Sequence, residues 1–210
     1  MADDFKDCGA AVLCGGRSRR MGADKALYLA DGEGRALLPA LAGGLAERFG
    51  EVVLVTDDRR KFAAAPDLEP FAQVDDLRPG SGPVGAILTA LTRLPERPVF
   101  VLACDMPVID WPIIGRLKEL MSAAGAAAAL PRHGGRLEPL HAFYGPAAAP
   151  VLARGLDEGR SAVRENLALM NTVYLDCPGP GEAGAVPGLF ANLNTPEEAR
   201  KAGYSLCLGP

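Results

Sequence analysis

Residues 10–25 read Ala-Ala-Val-Leu-Cys-Gly-Gly-Arg-Ser-Arg-Arg-Met-Gly-Ala-Asp-Lys, an apolar run that ends in two glycines and a basic segment. A run that is apolar on both faces is typical of a strand in a covered parallel sheet, and open α/β sheets bind ligands at the carboxyl ends of such strands. Adjacent glycines let successive backbone N–H groups point at an anion, and Arg20 and Lys25 would add positive charge. The stretch therefore predicts a first strand followed by a phosphate-binding loop, with a simple tight turn as the alternative.

Further apolar runs follow at intervals that leave room for a helix between them. The predicted strands are Ala10–Leu13, Val52–Val55, Phe71–Val74, Val99–Ala103, Ala126–Leu130 and Val173–Leu175. The predicted helices are Ala36–Phe49, Val84–Leu94, Pro112–Ala124 and Pro146–Ala153. This alternation of strands and helices predicts an α/β sandwich with a largely parallel sheet.

Two segments depart from the alternation. Residues 132–144 contain Gly134-Gly135 between polar and apolar residues, which predicts a hairpin or a long active-site loop and hence a mixed sheet. Near the carboxyl terminus, Thr195 precedes Pro196 and two glutamates. That order predicts a short final helix capped by the threonine.

Length and charge limit the functional classes. The chain has 210 residues and a formal net charge of −4. This length without an internal repeat predicts a single domain over residues 1–210. A negative net charge provides no general basic surface for a nucleic-acid backbone, so no nucleic-acid partner is expected and phosphate groups must be bound locally.

Cysteine use and the uncharged segments bear on location. The longest stretch without Asp, Glu, Lys or Arg is Pro139–Ala153, which is shorter than the roughly 20 residues of a membrane-spanning helix. The sequence opens Met-Ala-Asp-Asp-Phe-Lys-Asp, which is acidic where an export signal would be basic and apolar. The five cysteines form no Cys-x-x-Cys pair. We therefore expect a cytoplasmic protein with reduced thiols and no membrane contact.

The fourth predicted strand leads into Cys104-Asp105-Met106-Pro107. A carboxylate at a strand end, beside a phosphate-binding loop, can hold Mg²⁺, which combines one or two carboxylates with substrate phosphates and water. The alternative is that Asp105 caps a helix. Asp105 is the predicted metal ligand.

The segment Gly80–Gly85 contains a literal G-x-G-x-x-G. It does not abut the preceding predicted strand, as the dinucleotide-binding fingerprint would. We interpret it instead as a turn after Asp76, which ends the third strand, followed by a helix that starts at Pro83. The first glycine loop is not a Walker A loop either, because Lys25 is followed by alanine rather than Ser or Thr.

Residues 12–27 resemble the signature of the molybdenum cofactor guanylyltransferases, L-A-G-G-x-S-x-R-M-G-x-D-K-x-L. Three later segments agree in order, namely Asp76 before residues 78–85, Cys104-Asp105-Met106-Pro107, and Asn192-Leu193-Asn194-Thr195-Pro196-Glu197-Glu198. The resemblance spans nearly the whole chain. It implies a Rossmann-like three-layer α/β sandwich of the nucleotide-diphospho-sugar transferase type, with a mostly parallel mixed sheet. The implied activity is transfer of GMP from GTP to the phosphate of molybdopterin, with release of pyrophosphate.

The resemblance also implies site residues, by their positions in these motifs. The implied GTP-binding set is Leu13, Cys14, Gly15, Gly16, Lys25, Asp76 and Asp105. The implied catalytic set is Arg20, Lys25 and Asp105, and Asp105 also holds Mg²⁺. Cys14 stands where the family usually has alanine, a small change that should be tolerated because the backbone does the binding. Thr56, Asp57 and Asp58 fall where some members have an asparagine, so that nucleotide contact is not transferred.

Several functional alternatives stay open. Related cytidylyltransferases for the same pterin tend to carry Asp-x-Asp-Thr-Pro where residues 192–196 read Asn-Leu-Asn-Thr-Pro, which favours GTP over CTP. A second alternative is a transferase that acts on another phosphorylated acceptor, such as a sugar phosphate. A third is a module that binds a nucleotide but does not turn it over. The candidates for the pterin side are Arg132, Arg136, Glu138 and His141, with an ordinary surface loop as the alternative. The family also implies contact with a molybdenum insertion protein and with recipient molybdoenzymes or their chaperones.

Overall fold

The computed structural model describes residues 4–15, 29–179 and 181–206. The strands are β1 Phe5–Leu13, β2 Leu29–Asp31, β3 Phe49–Thr56, β4 Ala72–Asp75, β5 Val99–Ala103, β6 Ala128–His133, β7 Arg136–Leu137, β8 His141–Tyr144, β9 Thr172–Cys177 and β10 Tyr204–Leu206. The helices are α1 Leu37–Arg48, α2 Gly82–Arg93, α3 Trp111–Ala124, α4 Ala148–Asp157, α5 Val163–Leu167 and α6 Pro196–Lys201. Two short 3-10 turns, Arg59–Ala64 and Pro66–Leu68, follow β3.

The main sheet has the strand order β4-β3-β1-β5-β8-β6-β7, and β9 also pairs with β6. Strands β4, β3, β1 and β5 run parallel to one another. Strand β8 is antiparallel to both β5 and β6, and β9 is parallel to β6. The predicted mixed, mostly parallel sheet is therefore confirmed, and the strand direction changes between β5 and β8.

Buried side chains cover both faces of this sheet. Along β1, Ala10 and Val12 belong to one apolar cluster, and Ala11 and Leu13 belong to a second. The first cluster includes apolar residues of α1 and α3, and the second includes those of α2 and α4. Because successive strand residues point to opposite faces, this division shows helices on both sides of the sheet. The arrangement is the three-layer sandwich that the sequence predicts.

Four phenylalanines form the centre of the first cluster. Phe49 stacks on Phe5 and Phe100, with ring centroids 5.0 and 5.8 Å apart, and Phe143 lies 5.3 Å from Phe100. These four rings come from β1, β3, β5 and β8 and are all at most 2% exposed. Stacked and tilted rings at this separation stabilise a core beyond the burial of their area. They join the parallel strands to the antiparallel part of the sheet.

The predicted element boundaries are wrong at several ends, each for a local reason. Phe49, predicted as the end of a helix, begins β3, where it pairs with and stacks on Phe5. Phe71, predicted to begin a strand, instead closes a 3-10 turn through its N–H to Leu68. Ala126, also predicted to begin a strand, donates its N–H to Met121 at the end of α3.

The prediction of a helix over Pro146–Ala153 is wrong at both ends. The helix begins at Ala148 rather than Pro146 and continues past Ala153 to Asp157. Its last turn carries exposed charged residues that hide the helical pattern, and Arg154 pairs there with Glu158 at 2.7 Å. Neither α5 nor the two-stranded sheet of β2 and β10 is predicted from the sequence. None of the helices in the described residues is long and apolar enough to cross a membrane.

The hairpin predicted around Gly134-Gly135 is confirmed. Strands β6 and β7 pair antiparallel, with Arg132 opposite Leu137 and His133 opposite Arg136. The two glycines between them have φ angles of +53° and +76°, which a two-residue hairpin turn of this hand requires and which glycine adopts without strain. The predicted final helix is also confirmed, because the Thr195 side chain accepts from the N–H of Glu198 in a capping box.

Gly50→Ala should destabilise the protein by about 1–3 kcal/mol in the free energy of unfolding, the usual cost of overpacking. A Cβ at Gly50 would lie 2.3 Å from the carbonyl oxygen of Lys6, where the register between β1 and β3 shifts. That oxygen belongs to the backbone, so relief requires β1 to move against β3. Urea denaturation would measure the loss.

Gly43→Ala in α1 is the matched control. Within the described part of the chain, a Cβ there meets no heavy atom within 4 Å outside its local helix backbone. Because alanine is the better helix former, this variant should gain about 0.5–1 kcal/mol. Equal stability of Gly50→Ala and the wild type would contradict the close approach to Lys6.

Candidate active site

The carboxyl ends of four parallel strands meet at one edge of the sheet. Leu13 of β1 lies opposite Val55 of β3 and Ala103 of β5, and Thr56 of β3 lies opposite Asp75 of β4. The residues that follow these strands therefore line this edge together. They are Cys14 and Gly15 after β1, Asp57 after β3, Asp76 after β4 and Asp105 after β5.

The beginning of the glycine loop is fixed by its neighbours. The N–H of Cys14 donates to Val55 at 2.7 Å, and the N–H of Cys104 donates to Leu13 at 3.1 Å. The Cys14 side chain is buried in the apolar cluster, so its thiol replaces the usual alanine on the core side and leaves the backbone at the edge. Gly15 is exposed. Gly16, Arg20 and Lys25, which the resemblance assigns to this site, lie outside the described residues.

A lysine that the sequence analysis missed contacts this loop. The Lys61 amine donates to the carbonyl oxygen of Cys14 at 2.6 Å and to Asp57 Oδ1 at 3.1 Å. It comes from the 3-10 turn after β3 and is only 14% exposed. The contact joins residues 47 positions apart, so no local pattern in the sequence could indicate it.

Asp76 is oriented by the turn that starts α2. Its Oδ1 accepts from the N–H of Arg78 at 3.0 Å and from the Thr89 hydroxyl at 3.0 Å. A Cβ at Gly85 would lie 3.2 Å from the same oxygen, so glycine gives the carboxylate its room. The turn contains Gly80 and Gly82 at positive φ, and Pro83 stands in the first turn of α2. The interpretation of this segment as a turn and helix start is confirmed.

Asp105 follows β5 and is half-buried. The helix cap that the sequence left as its alternative is supplied by Asp110, whose Oδ1 accepts from the N–H of Ile113 at 2.9 Å. The carbonyl oxygen of Asp105 accepts from the N–H of Leu193 at 2.9 Å, which brings the Asn-Leu-Asn-Thr-Pro segment to the same edge. Two motifs separated by most of a hundred residues thus meet at Asp105.

The predicted hairpin approaches Asp105 from the other side. The N–H of Ala103 donates to Leu140 at 2.9 Å, so the connection between β7 and β8 lies against the end of β5. Glu138 in this connection is half-buried, and burial raises the pKa of its carboxyl group. Arg132 is engaged with Asp176, with Nη2 to Oδ2 at 2.8 Å, and Arg136 is exposed on the hairpin.

His141 is not available to a substrate, although the sequence made it a candidate for the pterin side. Its ring is 0% exposed and lies between Phe100 and Phe190, with centroids 5.1 and 5.4 Å away. Among the residues that the structure describes, neither ring nitrogen has a hydrogen-bond partner. Burial lowers its pKa to about 4, so the ring is neutral near pH 7.

Charged side chains that follow β3 are paired with one another or with Asp75 at the end of β4. Arg59 Nε lies 3.3 Å from Asp75, and Arg60 Nη2 lies 2.8 Å from Asp58. Together with Asp57 they line an open depression. Each positive charge here has a negative partner, so Arg20 and Lys25 remain the sequence's candidates for neutralising a triphosphate.

This edge brings together Gly15 at the start of the glycine loop, the half-buried Asp105 and the Asn-Leu-Asn-Thr-Pro segment. The sequence profile of the MobA-like NTP transferase domain matches residues 10–173, which is most of the chain. The chain belongs to this family. It is accordingly a nucleotidyltransferase enzyme.

Individual relatives match this chain over nearly its whole length and over most of their own. A probable molybdenum cofactor guanylyltransferase of Peptoclostridium acidaminophilum is 32% identical over 91% of this chain and 86% of its own. A protein of the same description from Pelotomaculum thermopropionicum is 32% identical over 91% and 89%. The crystal structure of molybdopterin-guanine dinucleotide biosynthesis protein A from Archaeoglobus fulgidus is 26% identical, with a TM-score of 0.76 over 93% of this chain and 96% of that one.

Proposed function

We propose that this transferase joins the GMP part of GTP to the phosphate of molybdopterin and releases pyrophosphate. The observation that carries the proposal is that the glycine loop, Asp76 and Asp105 follow β1, β4 and β5, whose ends lie at one edge of the parallel strands. The names of relatives about 32% identical to it support the choice of both substrates.

The chemistry requires little beyond positioning and charge. A phosphate oxygen of molybdopterin attacks the α-phosphorus of GTP and forms a new P–O bond. The bond from the α-phosphorus to the oxygen that bridges to the β-phosphorus breaks, and pyrophosphate leaves with the electron pair. The attacking phosphate is already anionic at neutral pH, so no protein base is needed. Catalysis then consists of alignment and electrostatic stabilisation.

The chain's own residues supply these two functions. The amides of Gly15 and Gly16 hold phosphate oxygens, and Arg20 and Lys25 balance the negative charge that grows on the pyrophosphate. Leu13 and Cys14 line the nucleotide on the strand side. Asp76, held in place by Thr89 and the turn before α2, contacts the nucleoside.

A divalent cation, which we propose to be Mg²⁺, fits at Asp105. The carboxylate is a hard oxygen donor, half-buried at the strand end beside the glycine loop. In residues 4–15, 29–179 and 181–206, no three His, Cys, Asp or Glu side chains group closely enough to hold a metal. Mg²⁺ suits such a site because it commonly takes one or two carboxylates together with substrate phosphates and water. When bound, the cation supplies charge neutralisation to the phosphates.

Further parts of the proposal concern specificity and location. The Asn-Leu-Asn-Thr-Pro segment against Asp105 favours GTP over CTP. We place the protein in the cytoplasm as a single nucleotidyltransferase domain over residues 1–210, with no nucleic-acid or membrane partner.

The proposed protein partners are a molybdenum insertion protein and recipient molybdoenzymes or their chaperones. Glu138 is the pterin-side candidate that offers a half-buried carboxylate.

The test is pyrophosphate release with Mg²⁺ and molybdopterin, run in parallel with GTP and with CTP. We expect release with GTP alone. Release with CTP alone would assign the protein to cytidylyl transfer and overturn the choice of base. GTP binding without release in either reaction would point to another phosphorylated acceptor or to a binding module.

A further inference from the structure

The Lys61 amine lies where the glycine loop leaves β1. It contacts the carbonyl oxygen of Cys14 at 2.6 Å, the distance of a short, charge-assisted hydrogen bond. The turn that carries Lys61 is itself fixed, because Asp58 caps it through the N–H of Arg60. Lys61 therefore holds the peptide between Cys14 and Gly15 from the side of β3.

The geometry of a peptide determines what this contact does. In a trans peptide the C=O of one residue and the N–H of the next point in opposite directions. The described residues contain no cis peptide bond, so the N–H of Gly15 points away from Lys61. No backbone acceptor among the described residues receives that N–H. It is therefore the first N–H of the loop that can face a ligand.

The charge of Lys61 is balanced locally. Asp57 Oδ1 lies 3.1 Å from its amine, and the lysine holds the pKa of that carboxyl group below its usual value. Desolvation opposes this lowering but does not cancel it. A lysine already paired with a carboxylate adds little net positive charge for a triphosphate. Its hydrogen bond to Cys14 nevertheless fixes the orientation of the Cys14–Gly15 peptide.

We propose that Lys61 is a positioning residue, which orients the Cys14–Gly15 peptide so that the Gly15 N–H faces the phosphates of the nucleotide. The proposal rests on the proposed function, since it requires the nucleotide to bind at the glycine loop. It adds a residue from outside the sequence motifs to that site.

Lys61→Met is the main test, with GTP binding measured by calorimetry and steady-state kinetics measured for both substrates. Loss of a charge-assisted hydrogen bond should weaken GTP binding about tenfold or more. The KM for GTP should rise by a similar factor while the KM for molybdopterin stays unchanged. Lys61→Arg keeps a cationic donor and should restore most of the affinity.

Two further variants separate orientation from general damage. Arg60→Met removes an adjacent cation from the same turn, 88% exposed and paired with Asp58, and should bind GTP as the wild type does. Asp57→Asn keeps the hydrogen bond to Cys14 and removes a negative charge, so its GTP affinity should equal or exceed that of the wild type. This second variant remains informative if Lys61→Met does not fold.

The outcomes test the role of Lys61 separately from the proposed function. A wild-type protein that binds no GTP would overturn the proposed function itself. Wild-type binding with an equal affinity in folded Lys61→Met would overturn only the role of Lys61. A tenfold loss in Asp57→Asn or Arg60→Met would also overturn it, because the turn as a whole rather than the Cys14 carbonyl would then be responsible.

Discussion

Asp105→Ala should lower the turnover of the transferase at least about 10²-fold, the scale of removing one electrostatic stabiliser from an active site. Asp105 follows β5, which pairs with β1, and its backbone contacts the Asn-Leu-Asn-Thr-Pro segment. The substitution keeps the contact with Leu193, since that contact uses the backbone carbonyl of Asp105. Pyrophosphate release at saturating GTP, molybdopterin and Mg²⁺ measures the effect.

Asp110→Ala is the matched control for this variant. Asp110 stands five residues further on and caps α3, so its loss should cost about 1 kcal/mol of stability and leave turnover unchanged. The comparison separates a carboxylate that acts on substrate from one that supports a helix. Full turnover in Asp105→Ala would refute the assignment of this residue.

The second large effect concerns His141, whose buried ring should make the protein sensitive to acid. Its folded-state pKa of about 4 lies below the ordinary value of 6.5, so the unfolded chain binds the proton more tightly. The contribution of the neutral His141 ring to the free energy of unfolding is fully present above pH 6.5. It is lost as the pH falls from 6.5 toward 4. By linkage, the wild type should lose about 2–3 kcal/mol from this group between pH 7.5 and 4.5.

His141→Phe isolates that contribution from the titration of the carboxylates. Phenylalanine keeps an aromatic ring between Phe100 and Phe190 but has no titratable group. Urea denaturation at the two pH values should show a smaller acid loss in the variant by the amount given above. Parallel pH dependence in wild type and variant would mean that His141 does not titrate in this range.

The parallel half of the sheet is predictable from the sequence because its strands are apolar on both faces. Strand β5 is an example, since its bounds Val99–Ala103 match the prediction. The hairpin is predictable because Gly134-Gly135 lie between polar and apolar residues, and glycine readily adopts the positive φ angles of a two-residue turn. By contrast, β2 and β10 have three residues each, too few to establish a period, and they pair only because the chain returns from a distance. Short elements of this kind depend on tertiary contact.

The site divides in the same way. The placement of Asp76 and Asp105 at the sheet edge is predictable because each follows an apolar strand, and the ends of parallel strands meet in space. The role of Lys61 is not, because a lysine after β3 looks like any solvated charge until the fold brings it to Cys14. The burial of His141 is equally hidden, since it depends on Phe190, which arrives from a loop 49 residues later.

The reversal of strand direction between β5 and β8 has an evolutionary consequence. On the proposed function, the donor nucleotide lies at the ends of β1, β3, β4 and β5, and the pterin side lies toward β6, β7 and β8, with Asp105 at the boundary between β5 and β8. The hairpin of β6 and β7 pairs with neither β1 nor β5, so its exposed residues, such as Arg136, can change while the core of the parallel strands is kept. A lineage built on this sheet is therefore free to exchange one phosphorylated acceptor for another while inheriting its nucleotide chemistry intact.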